Sequence, residues 1–169
     1  MLKNAMLYKE ELKRAFYEVW YDPKYQYYFG SEFRWTIELS DSSGGSQPRR
    51  DFVSVDKEGN LIGYIGYAFH SCVGLADSFG AINFTDDKWT FSRDLKQVID
   101  DIFMKFGMRT LEFCVICGNP IEKSYDKIVQ KIGGDILCVR HARAKDLAGN
   151  ILDDKMYEIT REAYLNYKK

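Results

Sequence analysis

The chain has 169 residues, a length suited to one domain with one core rather than two. Its 24 Lys+Arg stand against 25 Asp+Glu for a formal net charge of −1, which leaves no basic excess to neutralise a phosphate backbone and argues against a nucleic-acid partner. The 46% hydrophobic fraction with only three Pro excludes disorder and fibres; the unusual feature is 15% aromatic content, chiefly 12 Tyr and 11 Phe.

Charges interrupt the N-terminal stretch from Met1 to Glu11, so it lacks the apolar core of a secretory signal. The longest nearly uncharged stretch, Leu61 to Ala76, is broken by Gly63, Gly66, His70 and Gly74 and is shorter than the ~20 apolar residues of a membrane span. A soluble, cytoplasmic protein is expected, with no membrane partner. In that setting Cys72, Cys114, Cys117 and Cys138 read as reduced thiols packed like small hydrophobes. Cys114 and Cys117 match C-x-x-C, but no second ligand pair accompanies them, so no metal site is expected.

In chain order, Tyr8, Leu12, Ala15, Phe16 and Val19 recur on one helical face and predict a helix from about Tyr8 to Trp20, ended by Pro23. An aromatic patch follows (Tyr25, Tyr27, Tyr28, Phe29), then a strand at Phe33 to Leu39 that carries Trp35. The Gly/Ser-rich stretch Ser40 to Pro48 reads as a mobile surface loop, either a lid over a substrate site or a plain connector. Asp51 to Asp56 and Leu61 to Phe69 flank Gly59-Asn60 as a hairpin, and a third apolar run extends from Val73 to Phe84. The strongest helical spacing joins Phe91, Leu95, Val98, Ile99, Ile102, Phe103 and Phe106, with Gly107 placed to stop it. Leu111 to Ile116 is a strand. A second long helix opens with Asn119 as N-cap and Pro120 at its first position, shows Ile121, Tyr125, Ile128, Val129 and Ile132 on one face, and ends at Gly133-Gly134. Strands from about Asp135 to Ala144 and Met156 to Thr160, and a short helix from Arg161 capped by Thr160, complete the chain.

This order predicts an α+β fold: a mixed, mostly antiparallel sheet flanked by helices. Three features resemble the GNAT N-acetyltransferase family: the hairpin Phe52 to Tyr64 with its Gly-Tyr strand, the strand-to-helix crossing from Ala81 to Phe106 closed by Gly107, and the Asn-led helix from Asn119 to Lys131-Ile132-Gly133. The resemblance covers about Asp51 to Tyr164. It divides the single domain into an N-terminal helical and aromatic segment with its loop, residues 1–50, and an acetyltransferase core, residues 51–169.

The resemblance implies acetyl transfer from acetyl-coenzyme A (acetyl-CoA) to the primary amine of a small molecule or peptide, with a homodimer as one possible assembly. Family members carry Q/R-x-x-G-x-G/A before the crossing helix, where close backbone N–H groups and the positive helix end hold the cofactor pyrophosphate. The matching stretch is Asp87-Lys88-Trp89-Thr90-Phe91-Ser92, with hydroxyl residues at both glycine positions and an acid at the first. Lys88, Thr90, Phe91 and Ser92 remain the candidate phosphate contacts, although Asp86 and Asp87 repel an anion unless they turn away. Thr90 reads equally well as the helix N-cap. The strand backbone at Ile82, Asn83 and Phe84 is expected to pair with the pantetheine arm, and Asn119 to contact the cofactor or cap its helix.

Tyr125 is the catalytic candidate, as the acid that protonates the departing thiolate. It lies one turn before the family's usual position, here Val129, and a core aromatic is the alternative role. Asp77 and Glu112, acids inside strands, are weaker candidates for the base, and His70 and His141 show no partner in the sequence. A catalytically silent GNAT-fold binding or regulatory protein is the alternative function, motivated by the missing glycines and the displaced Tyr.

Overall fold

The computed structural model describes residues 1–27 and 49–169. The predicted strand at Phe33 to Leu39, the loop Ser40 to Pro48 and the rings of Tyr28, Phe29, Phe33 and Trp35 lie outside the described residues. Seven strands form one sheet: β1 (Leu2–Asn4), β2 (Arg49–Val55), β3 (Leu61–His70), β4 (Leu75–Asn83), β5 (Thr110–Ile116), β6 (Asp135–Lys145) and β7 (Ile151–Thr160), in spatial order β1-β2-β3-β4-β5-β7-β6. Among the described strands only β4 and β5 run parallel, joined by a crossover through helix α2 (Lys88–Asp100). The other helices are α1 (Lys9–Val19), α3 (Glu122–Ile132) and α4 (Arg161–Lys168). The predicted mixed, mostly antiparallel sheet is therefore observed. β1 and the full length of β7 were not legible, because a three-residue strand and a charged one carry little hydrophobic alternation.

The two sheet faces are covered differently. On one, α1 buries Leu12, Phe16 and Val19 against Val53, Val55, Tyr64 and Ile82. On the other, α2, α3 and α4 bury Val98, Val129, Ile132 and Tyr164 against Ile65, Tyr67, Ala76, Leu111, Val115, Tyr157 and Ile159. A row of rings crosses this second face through five strands. Phe52 meets Tyr67 at 6.4 Å, Tyr67 meets Phe79 at 6.3 Å, Phe79 meets Phe113 at 6.3 Å, and Phe113 stacks on Tyr157 at 5.0 Å. Much of the aromatic excess is thus core.

The helix predicted through Phe106 departs from α geometry after Asp100. Residues Asp101–Lys105 form a π-helical turn, closed by the Phe106 N–H donating to the Asp101 carbonyl at 2.9 Å. Phe106 and Phe69 then hold the Arg50 guanidinium between their rings, 4.2 and 4.8 Å from the centroids. α3 starts two residues later than expected, at Glu122 rather than Pro120. Asn119 caps a turn, its Oδ1 accepting from Ile121 N at 3.1 Å, and Glu122 closes the turn from within the helix by accepting from Gly118 N at 2.9 Å. Its far end is as expected: Gly133 sits at φ +82, where a side chain would be strained, and the Gly134 N–H donates back to the Val129 carbonyl. Thr160 caps α4 through Ala163 N, also as expected.

The thiols are a correction. Cys72, Cys114 and Cys138 are exposed and Cys117 is half-buried, so none packs as a core hydrophobe. Register explains two of them: Cys114 and Cys138 both stand opposite Met156, one on each side of β7, on the face that α3 and α4 do not cover. Among the described residues, no group of three or more His, Cys, Asp or Glu is arranged to hold a metal, and no helix is long and apolar enough to cross a membrane.

Candidate functional site

The site is built where the sheet comes apart. The parallel ladder between β4 and β5 holds two residue pairs, Leu75 with Thr110 and Ala76 with Leu111, although β4 continues to Asn83 and β5 to Ile116. Beyond Ala76 the two strands leave a wedge whose facing backbone groups have no ladder partner. Unpaired strand groups of this kind accept an extended, amide-bearing chain as an added strand. On the other side of β4, a bulge interrupts its ladder with β3: Ser78 and Phe79 together stand opposite the single residue Tyr67, and Ser78 takes φ +49. The bulge lies at the mouth of the wedge and turns Phe79 toward Phe113 on the far side.

On the α2/α3 side of the wedge stands Tyr125, held by α3. Its ring meets Phe113 edge-on at 5.6 Å and Tyr157 at 6.4 Å. Its hydroxyl makes no hydrogen bond with the described residues, and burial pushes its pKa up, so the phenol keeps its proton at neutral pH. The helix that carries it is pinned to β7 by charge. Lys155 Nζ lies 2.5 Å from Glu122 and 3.1 Å from Asp126, and the Tyr157 hydroxyl donates to Asp126 at 2.7 Å. These bonds lower both carboxyl pKa values, Glu122 chiefly through Lys155 and Asp126 chiefly through Tyr157.

The opposite face of the wedge is acidic. Asp77 follows the last parallel pair, and the next positions across the sheet in register are Glu112 on β5, Glu158 on β7 and Asp135 on β6. Glu112 and Glu158 are directly opposed, an arrangement that is unfavourable without a cation between them. Asp77 faces His70, with Nε2 to Oδ2 at 3.3 Å. The expectation that His70 and His141 lack partners is therefore corrected: His141 Nδ1 lies 2.9 Å from Asp153, which also accepts from Ala142 N. The His141 pair depends on a bulged register and the His70 pair on the register of the β3–β4 hairpin, neither of which local pattern reveals. Further along the same face, the Tyr64 hydroxyl donates to buried Asp51 at 2.6 Å over Gly66, where a Cβ would come within 2.2 Å of that hydroxyl.

The residues expected to hold pyrophosphate come together as a loop, with different partners from those expected. Asn83 Oδ1 accepts from Thr85 N at 2.9 Å, Thr85 Oγ1 accepts from Asp87 N at 3.2 Å, and Asn83 Nδ2 donates to the Asp87 carbonyl at 3.3 Å. The N-cap of α2 is Asp87, not Thr90: the Asp87 carboxylate accepts from Thr90 N at 3.0 Å, which holds it below the usual carboxylate range. Lys88 N donates to the Asp86 carbonyl and Phe91 N to the Asp87 carbonyl. Phe91 packs on β3, where a Cβ on Gly63 would come within 2.5 Å of its ring. Lys88 and Ser92 are exposed. Ile82 is buried in the α1 core, and Phe84 is half-buried there with its ring 5.1 Å from Phe16 and its N–H donating to the Ile62 carbonyl of β3 at 2.8 Å; alternation along the strand then leaves Asn83, rather than Ile82 or Phe84, to offer backbone to an arm in the wedge.

For acetyl-CoA these residues fit unevenly. The wedge and Tyr125 suit a pantetheine arm and its thiol; the loop does not suit the diphosphate, since most of its N–H groups have partners, a carboxylate caps its helix and its carboxylates repel. Asn119 sits at the turn before α3, beyond the end of β5, and its side chain is taken by Ile121 N.

No protein-family model matches the chain, and no curated protein matches its sequence. Solved structures do match in fold. A point mutant of the spermidine N-acetyltransferase SpeG from Vibrio cholerae aligns at 22% identity with a TM-score of 0.59, over 72% of this chain and 70% of that one. A dodecameric SpeG structure from the same organism aligns at 20% identity and TM-score 0.60 over the same shares, and mutant forms described as spermidine/spermine N-acetyltransferase at 19% and 0.61, over 72% and 69%. Strand order, the single parallel pair, the crossing helix and these alignments agree: the chain carries the GNAT acetyltransferase fold.

Proposed function

We propose that the protein is an N-acetyltransferase that moves an acetyl group from a pantetheine thioester, acetyl-CoA in the simplest case, to a primary amine. The observation that carries the reading is the β4/β5 wedge, with the β4 bulge at its mouth and a protonated Tyr125 beside it. The amine attacks the thioester carbonyl directly. The Asp77–His70 pair receives the proton that the amine loses, because it stands on the acidic face at the start of the wedge. Backbone N–H at the bulge answers the charge that develops on the carbonyl oxygen, and Tyr125 gives its proton to the departing thiolate.

The acceptor is a cationic amine. The row Asp77, Glu112, Glu158 and Asp135 supports this, since a cation relieves the opposed pair Glu112/Glu158, and the spermidine acetyltransferases of like fold act on such a molecule. In this reading the N-terminal aromatic segment that holds Tyr25 and Tyr27 helps to frame it.

Thiol release with a panel of amines, beside thermal shift with the donor, tests the reading. Asp77→Asn and Tyr125→Phe are expected to lower kcat by about 100-fold or more while donor affinity stays within a few-fold, the usual range for a positioned acid or base. Unchanged turnover in both variants removes the assigned roles. The occupied phosphate loop favours a second reading, a catalytically silent binding protein; stabilisation by donor without turnover of any amine selects it.

A further inference from the structure

The loop between β4 and α2 ordinarily offers what a diphosphate needs: free N–H groups at a positive helix end, reached closely because side chains are small. Here much of that end is taken from within the chain. Thr85 N, Asp87 N, Lys88 N, Thr90 N and Phe91 N all have partners in the loop itself, and the group seated on the first turn of α2 is an anion, the Asp87 carboxylate. The neighbouring Asp86 side chain is 96% exposed, and the cation nearest to it, Lys24 at 3.6 Å, is itself 59% exposed and weakly held. A diphosphate would have to displace one carboxylate and lie beside another. Along β4, the wedge from Asp77 to Asn83 has no ladder partner on its β5 side among the described residues, which leaves strand backbone for an amide-bearing arm.

We infer that this protein recognises its acyl donor through the pantetheine arm alone and has given up recognition of the nucleotide diphosphate. The inference rests on the acetyltransferase reading and narrows its donor to an acyl-pantetheine thioester, whether free, carried on a protein or part of a coenzyme. It also accounts for the sequence: a glycine at position 90 or 92 serves close approach of phosphate, and where none approaches, hydroxyl residues and a charged N-cap are the better helix start.

Calorimetric titration of the full chain with acetyl-pantetheine, acetyl-4′-phosphopantetheine and acetyl-CoA tests it. The expected result is three affinities within about threefold of one another. Tighter binding of the single-phosphate form than of acetyl-CoA also supports it and points to a carrier-borne arm. A preference for acetyl-CoA over acetyl-pantetheine of about 30-fold or more overturns the inference and leaves the acetyltransferase standing, whereas binding of none overturns both. Asp87→Gly frees Thr90 N and removes the charge, and is expected to raise the acetyl-CoA to acetyl-pantetheine affinity ratio by about tenfold. Asp87→Asn, which keeps a cap and loses only the charge, is expected to move the ratio the same way by less. A ratio unchanged in both variants overturns the inference.

Discussion

The two halves of the sheet are built on different terms. β2, β3 and β4 lie between helices, α1 on one face and α2 on the other, and β3 is buried along seven consecutive residues from Ile62 to Ala68. Among the described residues, β5, β7 and β6 have α3 and α4 on one face only, and the edge strand β6 exposes Ile136, Leu137, Cys138 and Val139. A strand covered on both sides reads as a continuous apolar run, and one covered on a single side mixes apolar and charged residues. The acidic row and the wedge stand where the two halves meet. Tight packing in the first half fixes β4.

Three experiments sharpen or break this contrast. The largest effect is expected from equal truncation in the two halves: Ile65→Ala, at a fully buried site, should cost about 2–5 kcal/mol in denaturant unfolding, and Val139→Ser on β6 no more than about 0.5 kcal/mol. Similar costs would show that a partner covers the second half.

The next tests the contact between α2 and β2. Buried Asp94 accepts from Ser54 Oγ at 2.8 Å and lies 2.9 Å from the Met1 ammonium, with Arg93 also bonded to it. Burial raises its pKa, but these partners outweigh that and the net shift is downward. A carboxylate lowered by folding stabilises the native state above its ordinary pKa of 3.8, and that stability is lost as pH falls through the lower folded value. Asp94→Asn should therefore cost about 1–3 kcal/mol at neutral pH and flatten the acid limb of the stability profile below about pH 4. An acid limb as steep as that of the parent chain would remove Asp94 from it.

The smallest effect concerns Tyr67, whose buried hydroxyl has no hydrogen-bond partner among the described residues and whose pKa burial pushes up to about 12. Tyr67→Phe keeps the ring row and removes the unsatisfied oxygen, so stability should hold or rise by up to about 1 kcal/mol. A loss of that size would reveal a partner for the hydroxyl.

The elements were legible where a local rule sufficed. Leu12, Phe16 and Val19 announce α1 by spacing, Gly133-Gly134 announces the end of α3, and Gly59-Asn60 the β2–β3 turn, where Asp56 accepts from Asn60 N at 2.7 Å. The candidate site was legible in part. Asp77, Glu112 and Tyr125 were singled out, and the structure sets the first two at neighbouring positions on one face and Tyr125 on the other. The partner of His70 was not legible, since its contact with Asp77 needs the β3–β4 hairpin register that sets His70 opposite Leu75 and Ala68 opposite Asp77. Thr90 was read as a possible cap because a hydroxyl and a carboxylate three residues apart both satisfy the capping pattern, and only the coordinates distinguish acceptor from donor.

The near-neutral charge and aromatic excess of the sequence take on definite meaning in the fold. By itself the sequence determined the helices, most of the strands and their order, because periodicity, caps and turn residues act over a few neighbours. The tertiary structure alone decided that β4 and β5 part after two pairs, that Asp77 meets His70, that four carboxylates line up across four strands, and that the Asp87 carboxylate occupies the start of α2. Those features depend on register and on which face each strand turns, quantities set by the packing of the whole sheet against its helices rather than by any local stretch of chain.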